Sequence, residues 1–147
     1  MSFKTGGCQC GRVRYSVETE MAQAYLCHCR MCQRATGGFA AAFVQVPTDA
    51  LSWERAPDWY ESSPIARRPF CWQCGTPLGF HFRDSAGEPH ITFGSFDDPA
   101  GFTPEAHAGS ESVHEAWLNT SALPRHYTAK TESIAKRSKA AGREVPE

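Results

Sequence analysis

Short apolar runs separated by turn residues dominate the first hundred positions of the chain. Residues 12–17 alternate polar with apolar side chains, as a half-buried strand does, whereas residues 39–46 are apolar enough for a central strand. Further strand-like runs cover residues 51–54, 59–62, 69–71, 78–82 and 90–93. Prolines punctuate these runs, and each marks a turn, an edge or a strand end because proline cannot donate a hydrogen bond within a sheet. The pattern predicts a mainly β protein.

Helical signals are few in this sequence. They cover about one turn after Cys29, a short piece over residues 112–118, and the C-terminal tail. The tail, residues 129–147, has no aromatic side chain and is rich in Lys, Arg, Ala, Glu and Ser, which is typical of a solvated helix or a frayed end. A chain of 147 residues with 41% hydrophobic and 21% charged residues suits one globular domain. We expect a β domain over residues 1–128 followed by a polar tail over residues 129–147.

The seven cysteines fall into three tight groups. They are Cys8 and Cys10; Cys27, Cys29 and Cys32; and Cys71 and Cys74. Thiolates one or two residues apart converge on one metal ion, and zinc takes four protein ligands in a structural site and usually three in a catalytic one. A disulfide framework fits less well, because the count is odd and a bridge from position i to i+2 closes a strained ring. The cysteines predict a zinc protein with two Zn²⁺ ions per chain.

The lack of a targeting signal and the small net charge limit the compartments and partners that we expect for this protein. Residues 1–7 contain no apolar run that resembles a signal-peptide core, and no segment approaches the ~18 apolar residues of a membrane span. We expect a cytoplasmic protein with no membrane partner, in a reducing compartment where clustered thiols bind metal rather than each other. The formal charge is -1 with neutral cysteines, and seven bound thiolates with two Zn²⁺ ions would bring it to about -4. Such a charge gives no support to a nucleic-acid partner.

The first and last cysteine pairs share a design, since each is followed at once by a glycine, Gly11 or Gly75. In a zinc knuckle the chain turns back around the metal, and glycine accepts the positive φ that such a turn requires. The two pairs are expected to form one saturated, structural site. Spacing alone leaves another partition open, in which Cys8 and Cys10 share a zinc ion with two cysteines of the middle group.

The middle group differs because its three thiolates lie within residues 27–32. We expect the chain to leave a strand here and enter a short helical turn, whose free N–H groups favour thiolates. Its fourth ligand is either a distant histidine or acid, which completes a second structural site, or water and substrate. His28 lies between two ligands and is expected to point away from the metal. Arg30 and Arg34 are candidates to bind substrate carboxylates, although local ion pairs explain them equally well.

Three motifs in a fixed order carry a resemblance to a known family. They are Cys-x-Cys-Gly, then Cys-His-Cys-x-x-Cys followed by Arg34 and Thr36-Gly37, then Cys-x-x-Cys-Gly-x-Pro. The chain resembles the glutathione-dependent formaldehyde-activating enzyme family, which includes centromere protein V. Similar C-terminal features extend the resemblance over about residues 5–127, namely residues 94–99, Pro104, His107, Trp117 and Leu123-Pro124.

The resemblance implies a fold, two metal sites and an activity. The fold is a β-tent of stacked antiparallel sheets with zinc knuckles and few short helices. One structural zinc is held by Cys8, Cys10, Cys71 and Cys74, and a second, open zinc is held by the catalytic cysteines Cys27, Cys29 and Cys32. The founding activity is condensation of formaldehyde with glutathione to S-(hydroxymethyl)glutathione, a carbon-sulfur lyase reaction, so a small-molecule thiol such as glutathione is the expected partner. The alternative is a non-catalytic zinc-binding module for a protein or another partner.

Overall fold

The structure is a computed structural model that describes residues 2–84 and 87–145. Within these residues ten β-strands follow one another along the chain. They are β1 (Phe3–Gly7), β2 (Arg14–Glu18), β3 (Gln23–Cys27), β4 (Ala41–Gln45), β5 (Leu51–Arg55), β6 (Asp58–Ser63), β7 (Ala66–Phe70), β8 (Gly79–Phe82), β9 (His90–Thr92) and β10 (Pro104–Ala108). The described helices are α1 (Arg30–Thr36) and α2 (Glu132–Ala140).

The strands form two sheets. The smaller sheet has the order β1-β2-β5, and the larger has the order β10-β3-β4-β9-β8-β7-β6. Adjacent strands are antiparallel, except that β10 lies parallel to β3 at one edge of the larger sheet. A parallel pair requires a long crossover connection, and here most of the larger sheet lies between β3 and β10 in the chain. The mainly β prediction is confirmed, and the parallel edge departs from the purely antiparallel sheets that we expected.

The main core contains side chains from both sheets. Strand β2 contributes Tyr15 and Val17, while β4 and β9 contribute Val44 and Ile91, and all four are at most 1% exposed. The Tyr15 hydroxyl forms a 2.9 Å hydrogen bond with the hydroxyl of Ser95, which satisfies the polar end of this buried ring. The alternation that predicts β2 reflects this arrangement, because every second side chain of the strand enters the core.

The opposite face of the larger sheet carries a second apolar cluster. Cys27 pairs with Ala41 across β3 and β4, and Tyr25 pairs with Phe43 two residues further along. Directly paired residues point to the same face of a sheet, so these side chains lie together. Ala41 and Phe43 are each 2% exposed and form the centre of the cluster with Cys32. Strand β4 is therefore buried on both faces, which explains its continuous apolar run.

Strands β1 and β10 lie outside the predicted strand-like runs, whereas β3 is the strand that we expect the chain to leave at the middle cysteine group. Strand β1 contains Gly6 because the ring of Tyr15 lies where a Cβ would stand. Strand β10 is an exposed edge with few apolar residues, so neither strand shows clear alternation. Strand β7 begins at Ala66, before the predicted residues 69–71, since two arginines interrupt its apolar pattern.

The helical piece predicted over residues 112–118 is wrong. The structure has two single 3₁₀ turns around that point, Ser110–Ser112 and Glu115–Trp117. The first is followed by Val113, whose extended backbone, with a φ of -67° and a ψ of 141°, interrupts any continuous helix within residues 112–118. Such short turns lack the repeated i to i+4 hydrogen bonds that a helix needs.

Contacts divide the chain into two units, Met1–His114 and Glu115–Glu147. The second unit contains α2, which buries no residue and has a 3.0 Å ion pair from Lys136 to Glu132. This agrees with the solvated helix expected in the tail, while the domain boundary at residue 128 stays a prediction. No helix in residues 2–84 and 87–145 combines the length and the apolar character needed to cross a membrane.

Candidate metal centres

Two tight backbone turns form the knuckles predicted for the first and last cysteine pairs. In the first turn the N–H of Gly11 donates to the carbonyl of Cys8 at 3.1 Å. In the second the N–H of Gly75 donates to the carbonyl of Cys71 at 2.8 Å. The φ angles of the two glycines are 82° and 79°, in the left-handed region that favours glycine. The predicted use of glycine in both turns is confirmed.

The two knuckles bring four sulfur atoms within 4.8 Å of one another, those of Cys8, Cys10, Cys71 and Cys74. The distance between sulfur atoms is 3.6 Å from Cys8 to Cys10 and 3.7 Å from Cys10 to Cys71. All seven cysteines are free thiols, which excludes the disulfide alternative for this structure. The other partition, in which Cys8 and Cys10 join the middle group, does not fit these positions.

Neighbouring donors favour thiolates in the four-sulfur cluster. The Arg12 Nε donates to the Cys71 sulfur at 3.4 Å. The Thr76 hydroxyl lies 3.2 Å from the Cys74 sulfur, and hydrogen bonds from the Thr76 side chain and backbone lower the pKa of Cys74 to about 5. Hydrogen bonds to the charged form stabilise a thiolate in this way.

The same cluster shows how strongly the four thiols interact. The Arg12 backbone lowers the pKa of Cys10, but desolvation and hydrogen bonds with the neighbouring thiols outweigh it and raise that pKa to about 11. Sulfur atoms at this spacing ionise together only beside a cation. Four soft sulfur donors in a compact group are the ligand set that tetrahedral zinc prefers. The residues therefore fit Zn²⁺.

The carboxylate of Asp58 links the first knuckle to the second. Arg12, which directly follows Gly11, pairs with the carboxylate of Asp58 at the start of β6. The same carboxylate accepts a 2.9 Å hydrogen bond from the N–H of Trp72 in the second knuckle. These contacts orient the Arg12 guanidinium toward the cluster, where it supplies positive charge next to sulfur.

The middle cysteines occupy the junction between β3 and α1. Cys27 ends the strand, Cys29 is the residue before the first turn of the helix, and Cys32 lies inside that turn. Their sulfur atoms lie within 4.8 Å of one another. The Cys29 sulfur accepts a 3.3 Å hydrogen bond from the N–H of Cys32, which caps the helix and lowers the pKa of Cys29 against the opposing effect of burial. These three sulfurs, hereafter the three-cysteine cluster, fit Zn²⁺ with one position left for another ligand.

His28 lies outside the three-cysteine cluster, as the sequence predicts. Its Nε2 forms a 2.8 Å hydrogen bond with Nδ1 of His107 in β10, and its ring is fully buried. The parallel edge strand therefore supports the loop that carries Cys27 and Cys29. Within the described residues, no histidine or acid joins the three sulfurs as a fourth potential ligand.

A buried arginine contacts the three-cysteine cluster. Arg68 of β7 is only 6% exposed, and its Nη2 donates to the Cys32 sulfur at 3.5 Å. Its Nε donates to the Ser62 hydroxyl at 3.1 Å, and its guanidinium lies 5.0 Å from the ring centre of Phe80. In the described part of the chain, no carboxylate forms an ion pair with Arg68. A buried cation needs a counter-charge, so this arrangement favours a negatively charged sulfur cluster.

Aromatic side chains form the wall beside the three-cysteine cluster. Tyr25, Phe43 and Phe80 pack around it, and the Tyr25 hydroxyl forms a 2.6 Å hydrogen bond with Nδ1 of His90. Burial lowers the pKa of His90, which favours the neutral ring. Burial also raises the pKa of the Cys27 thiol to about 12, which makes a metal ion necessary if this sulfur is to be a thiolate near neutral pH.

The segment after β10 closes the other side of the three-cysteine cluster. Gly109 has a φ of 62°, and a Cβ at this position would lie 2.5 Å from the backbone nitrogen of Cys29. The Gln33 side-chain amide donates to the carbonyl of His28 at 2.8 Å and to that of Ser112 at 3.0 Å. Gln33 and Gly109 therefore hold two distant segments together next to the three sulfurs.

Comparisons with known proteins agree with this geometry. The profile of the family described as glutathione-dependent formaldehyde-activating enzyme matches residues 3–112. The chain belongs to that family. A Rhodobacter sphaeroides protein solved as a Northeast Structural Genomics target is 24% identical, with a TM-score of 0.55, over 71% of this chain and 98% of that one. This likeness supports the fold alone, and no curated protein matches the chain significantly.

The family match contains all seven cysteines and also the residues that sequence reasoning missed, Arg68, Tyr25 and His90. Arg68 lies 36 positions from Cys32, and only the pairing of β7 with its neighbours brings it to the cluster. Arg30 and Arg34 are both exposed on α1, and the Arg30 guanidinium donates to the side-chain oxygen of Gln33. Their role in substrate binding stays a prediction.

Proposed function

We propose that this family member is a zinc-dependent enzyme of the carbon-sulfur lyase type that acts on thiol-aldehyde adducts and resembles S-(hydroxymethyl)glutathione synthase. The observation that carries the proposal is the three-cysteine cluster beside buried Arg68, separate from a saturated cluster of four sulfurs. The proposal includes two Zn²⁺ ions per chain, a thiol such as glutathione as the substrate, and a reducing cytoplasm as the compartment.

Charge favours thiol chemistry over carbonyl activation in the three-cysteine cluster. Three thiolates around Zn²⁺ leave a net charge of about -1, which weakens the centre as an electrophile. A zinc ion held there would bind a substrate thiol as its thiolate. Arg68 balances the negative charge of the cluster from its buried position. The soft sulfur ligands also match a sulfur nucleophile better than a carbonyl oxygen.

The protein's own residues contribute position and exclusion of water. Tyr25, Phe43 and Phe80 form an apolar wall next to the sulfurs, so a bound thiol meets its aldehyde away from bulk solvent. In the reaction the substrate thiol loses its proton, a carbon-sulfur bond forms, the carbonyl π bond breaks, and the aldehyde oxygen takes up one proton. Arg30 and Arg34, exposed on α1, are proposed to attract carboxylates of a glutathione-like substrate.

A binding module without catalysis is the second candidate. Exposed aromatic side chains near the second knuckle favour it, since Trp72 is 67% exposed and Tyr60 is 62% exposed. Exposed aromatic residues are common anchors at protein interfaces. This alternative predicts metal binding without any change in the rate of adduct formation.

Exchange spectroscopy distinguishes the two functions. Zinc-loaded protein at substoichiometric concentration should raise the rate at which formaldehyde and glutathione interconvert with their adduct, above the spontaneous rate. Cys29→Ser should abolish this increase and retain the β circular dichroism spectrum. Met31→Ser is the matched control, because Met31 is an exposed neighbour on α1 and offers no thiolate. No rate increase with any of several low-molecular-weight thiols, with two zinc ions bound, would reject the enzyme in favour of the module.

A further inference from the structure

A cleft of about 330 Å³ lies between the end of α1, strands β6 and β7, and the second knuckle. Its lining includes Thr36 from α1, Tyr60 and Phe70 from the sheet, and Gly75 and Pro77 from the region of the knuckle. Most of the surface that lines the cleft is apolar. Arg68 also lines the cleft and is the one charged residue among those that form it.

Arg68 uses one side of its guanidinium within the protein. Nη2 donates to the Cys32 sulfur at 3.5 Å, and Nε donates to the Ser62 hydroxyl at 3.1 Å. Nη1 has no hydrogen bond to any of the residues that the structure describes. Tyr60 pairs directly with Arg68 across β6 and β7, so both side chains lie on the face of the sheet that forms the cleft.

We propose that Arg68 binds a carboxylate of the substrate in this cleft while its Nη2 remains on Cys32. The inference rests on the proposed function, because it assigns the carboxylate site of the thiol substrate. A guanidinium offers donors on several edges, and a carboxylate is the ligand that matches them. The apolar lining strengthens the pairing, since a charge-assisted hydrogen bond gains strength where water is excluded.

The position of Arg68 between the three-cysteine cluster and the cleft limits the substrates that fit the proposal. Arg68 contacts a sulfur of the three-cysteine cluster and also lines the cleft, so a thiol at the cluster and a carboxylate on Arg68 would bind within a few bond lengths of each other. The structure therefore favours a small thiol acid, or the thiol-proximal carboxylate of a larger thiol. Arg30 and Arg34 differ from Arg68 because they are exposed, and water competes there for any carboxylate.

Paired ligands test this proposal by calorimetry on the zinc-loaded protein. The probes are 3-mercaptopropionate and 3-mercaptopropionamide, which share the thiol and differ in charge. We expect the wild-type protein to bind the acid about tenfold more tightly than the amide, as one charge-assisted hydrogen bond allows. Arg68→Met should reduce this ratio to about one. Arg83→Met is the matched control, because Arg83 is an exposed arginine paired with Glu61, and it should keep the wild-type ratio.

The ratio of the affinities for the acid and the amide distinguishes a direct contact of Arg68 with the carboxylate from other effects of the substitution. If Arg68 acts only through Cys32, both thiols lose affinity equally and the ratio stays at the wild-type value, which would overturn the proposal. If Arg68→Met does not fold, Ala35→Trp decides the matter, since Ala35 is exposed on α1 and lines the cleft. A tryptophan there should weaken 3-mercaptopropionate about tenfold and leave ethanethiol, which is too short to enter, unchanged. Equal affinities in the variant and the wild-type protein would contradict a site in the cleft.

The binding measurements do not depend on turnover. A protein that prefers the acid through Arg68 but never accelerates adduct formation would contradict the proposed enzyme and retain the carboxylate site. A protein that accelerates adduct formation but binds acid and amide equally would retain the enzyme and contradict the site.

Discussion

The two cysteine clusters of this protein are built on different supports. The cluster of Cys8, Cys10, Cys71 and Cys74 consists of two backbone turns, each stabilised by its own glycine and its own hydrogen bonds. The three-cysteine cluster instead joins a strand end to a helix start and depends on β7, β10 and an aromatic wall for its surroundings. The first is a local turn used twice, whereas the second has ligands close in sequence and surroundings assembled from distant parts of the sheet.

We propose that this difference separates a role in folding from a role in chemistry. A metal held by two knuckles joins positions 61 residues apart and closes a long loop, so its binding free energy becomes folding free energy. A metal held by three sulfurs next to buried Arg68 keeps a position for another ligand. The number of ligands and the environment point to the same assignment of roles, and each can be tested separately.

The largest expected effect is the loss of the fold on removal of one sulfur from the four-cysteine cluster. Cys71 is fully buried, and structural zinc contributes on the order of 10 kcal/mol, which exceeds or equals the stability of most domains. We expect Cys71→Ser to be insoluble or unfolded by circular dichroism. Cys29→Ser, the corresponding change in the other cluster, should remain folded. A soluble Cys71→Ser protein with an unchanged melting temperature would remove the distinction between the clusters.

Mild chelation should separate the two metals. Three protein ligands hold zinc less firmly than four, so a chelator should remove about one zinc ion per chain while the β fold survives. Released zinc is measured with a colorimetric indicator, and circular dichroism follows the fold in the same sample. Simultaneous loss of both metals with unfolding would show that the clusters do not differ as proposed.

Gly109 tests whether tertiary contacts support the three-cysteine cluster. Gly109→Ala places a methyl group 2.5 Å from the Cys29 nitrogen and adds left-handed strain, so we expect a loss of about 2–4 kcal/mol in the free energy of unfolding. Zinc should also leave the three-cysteine cluster at lower chelator concentration. Gly101→Ala is the control, because its φ is 94° with no atom within 4 Å, and it should cost only about 1 kcal/mol. Equal losses from the two substitutions would argue against this support.

The smallest expected effect is the contribution of His81 to the free energy of unfolding at acidic pH. Burial lowers the pKa of His81 from 6.5 to about 4, so the unfolded chain binds a proton that the folded chain does not between these values. The wild-type protein should therefore lose about 2–3 kcal/mol of unfolding free energy as the pH falls from 6.5 to 4. His81→Phe keeps an aromatic ring beside Trp59 and should lack this loss, while zinc release affects both proteins alike.

The His81 comparison is made by urea denaturation across that pH range. The difference between the two proteins isolates the contribution of His81, because the acid response of the two clusters is the same in both. Parallel curves for wild-type protein and His81→Phe would contradict a lowered pKa of His81 in the folded chain.

Local sequence determined the parts of this protein that need only neighbouring residues. The knuckles follow from cysteine pairs with glycine directly after them, because the turn, the positive φ and the ligand spacing are all properties of a few consecutive residues. Most strands of the larger sheet follow from short apolar runs, and β4, the strand that is buried on both faces, has the longest of them. The short helix after Cys29 follows from the same local reasoning, since the cysteine itself caps it.

Only the tertiary structure decided what surrounds the three-cysteine cluster. Strand β10 has too little apolar character to be predicted, and its parallel pairing with β3 places Gly109 against Cys29. Arg68 comes to Cys32 through strand pairing, while Arg30 and Arg34, close in sequence, remain exposed. Sequence spacing constrains only contacts within one turn or one strand, whereas the register between strands depends on burying both sheets at once. The counter-charge of the cluster is set by that global packing.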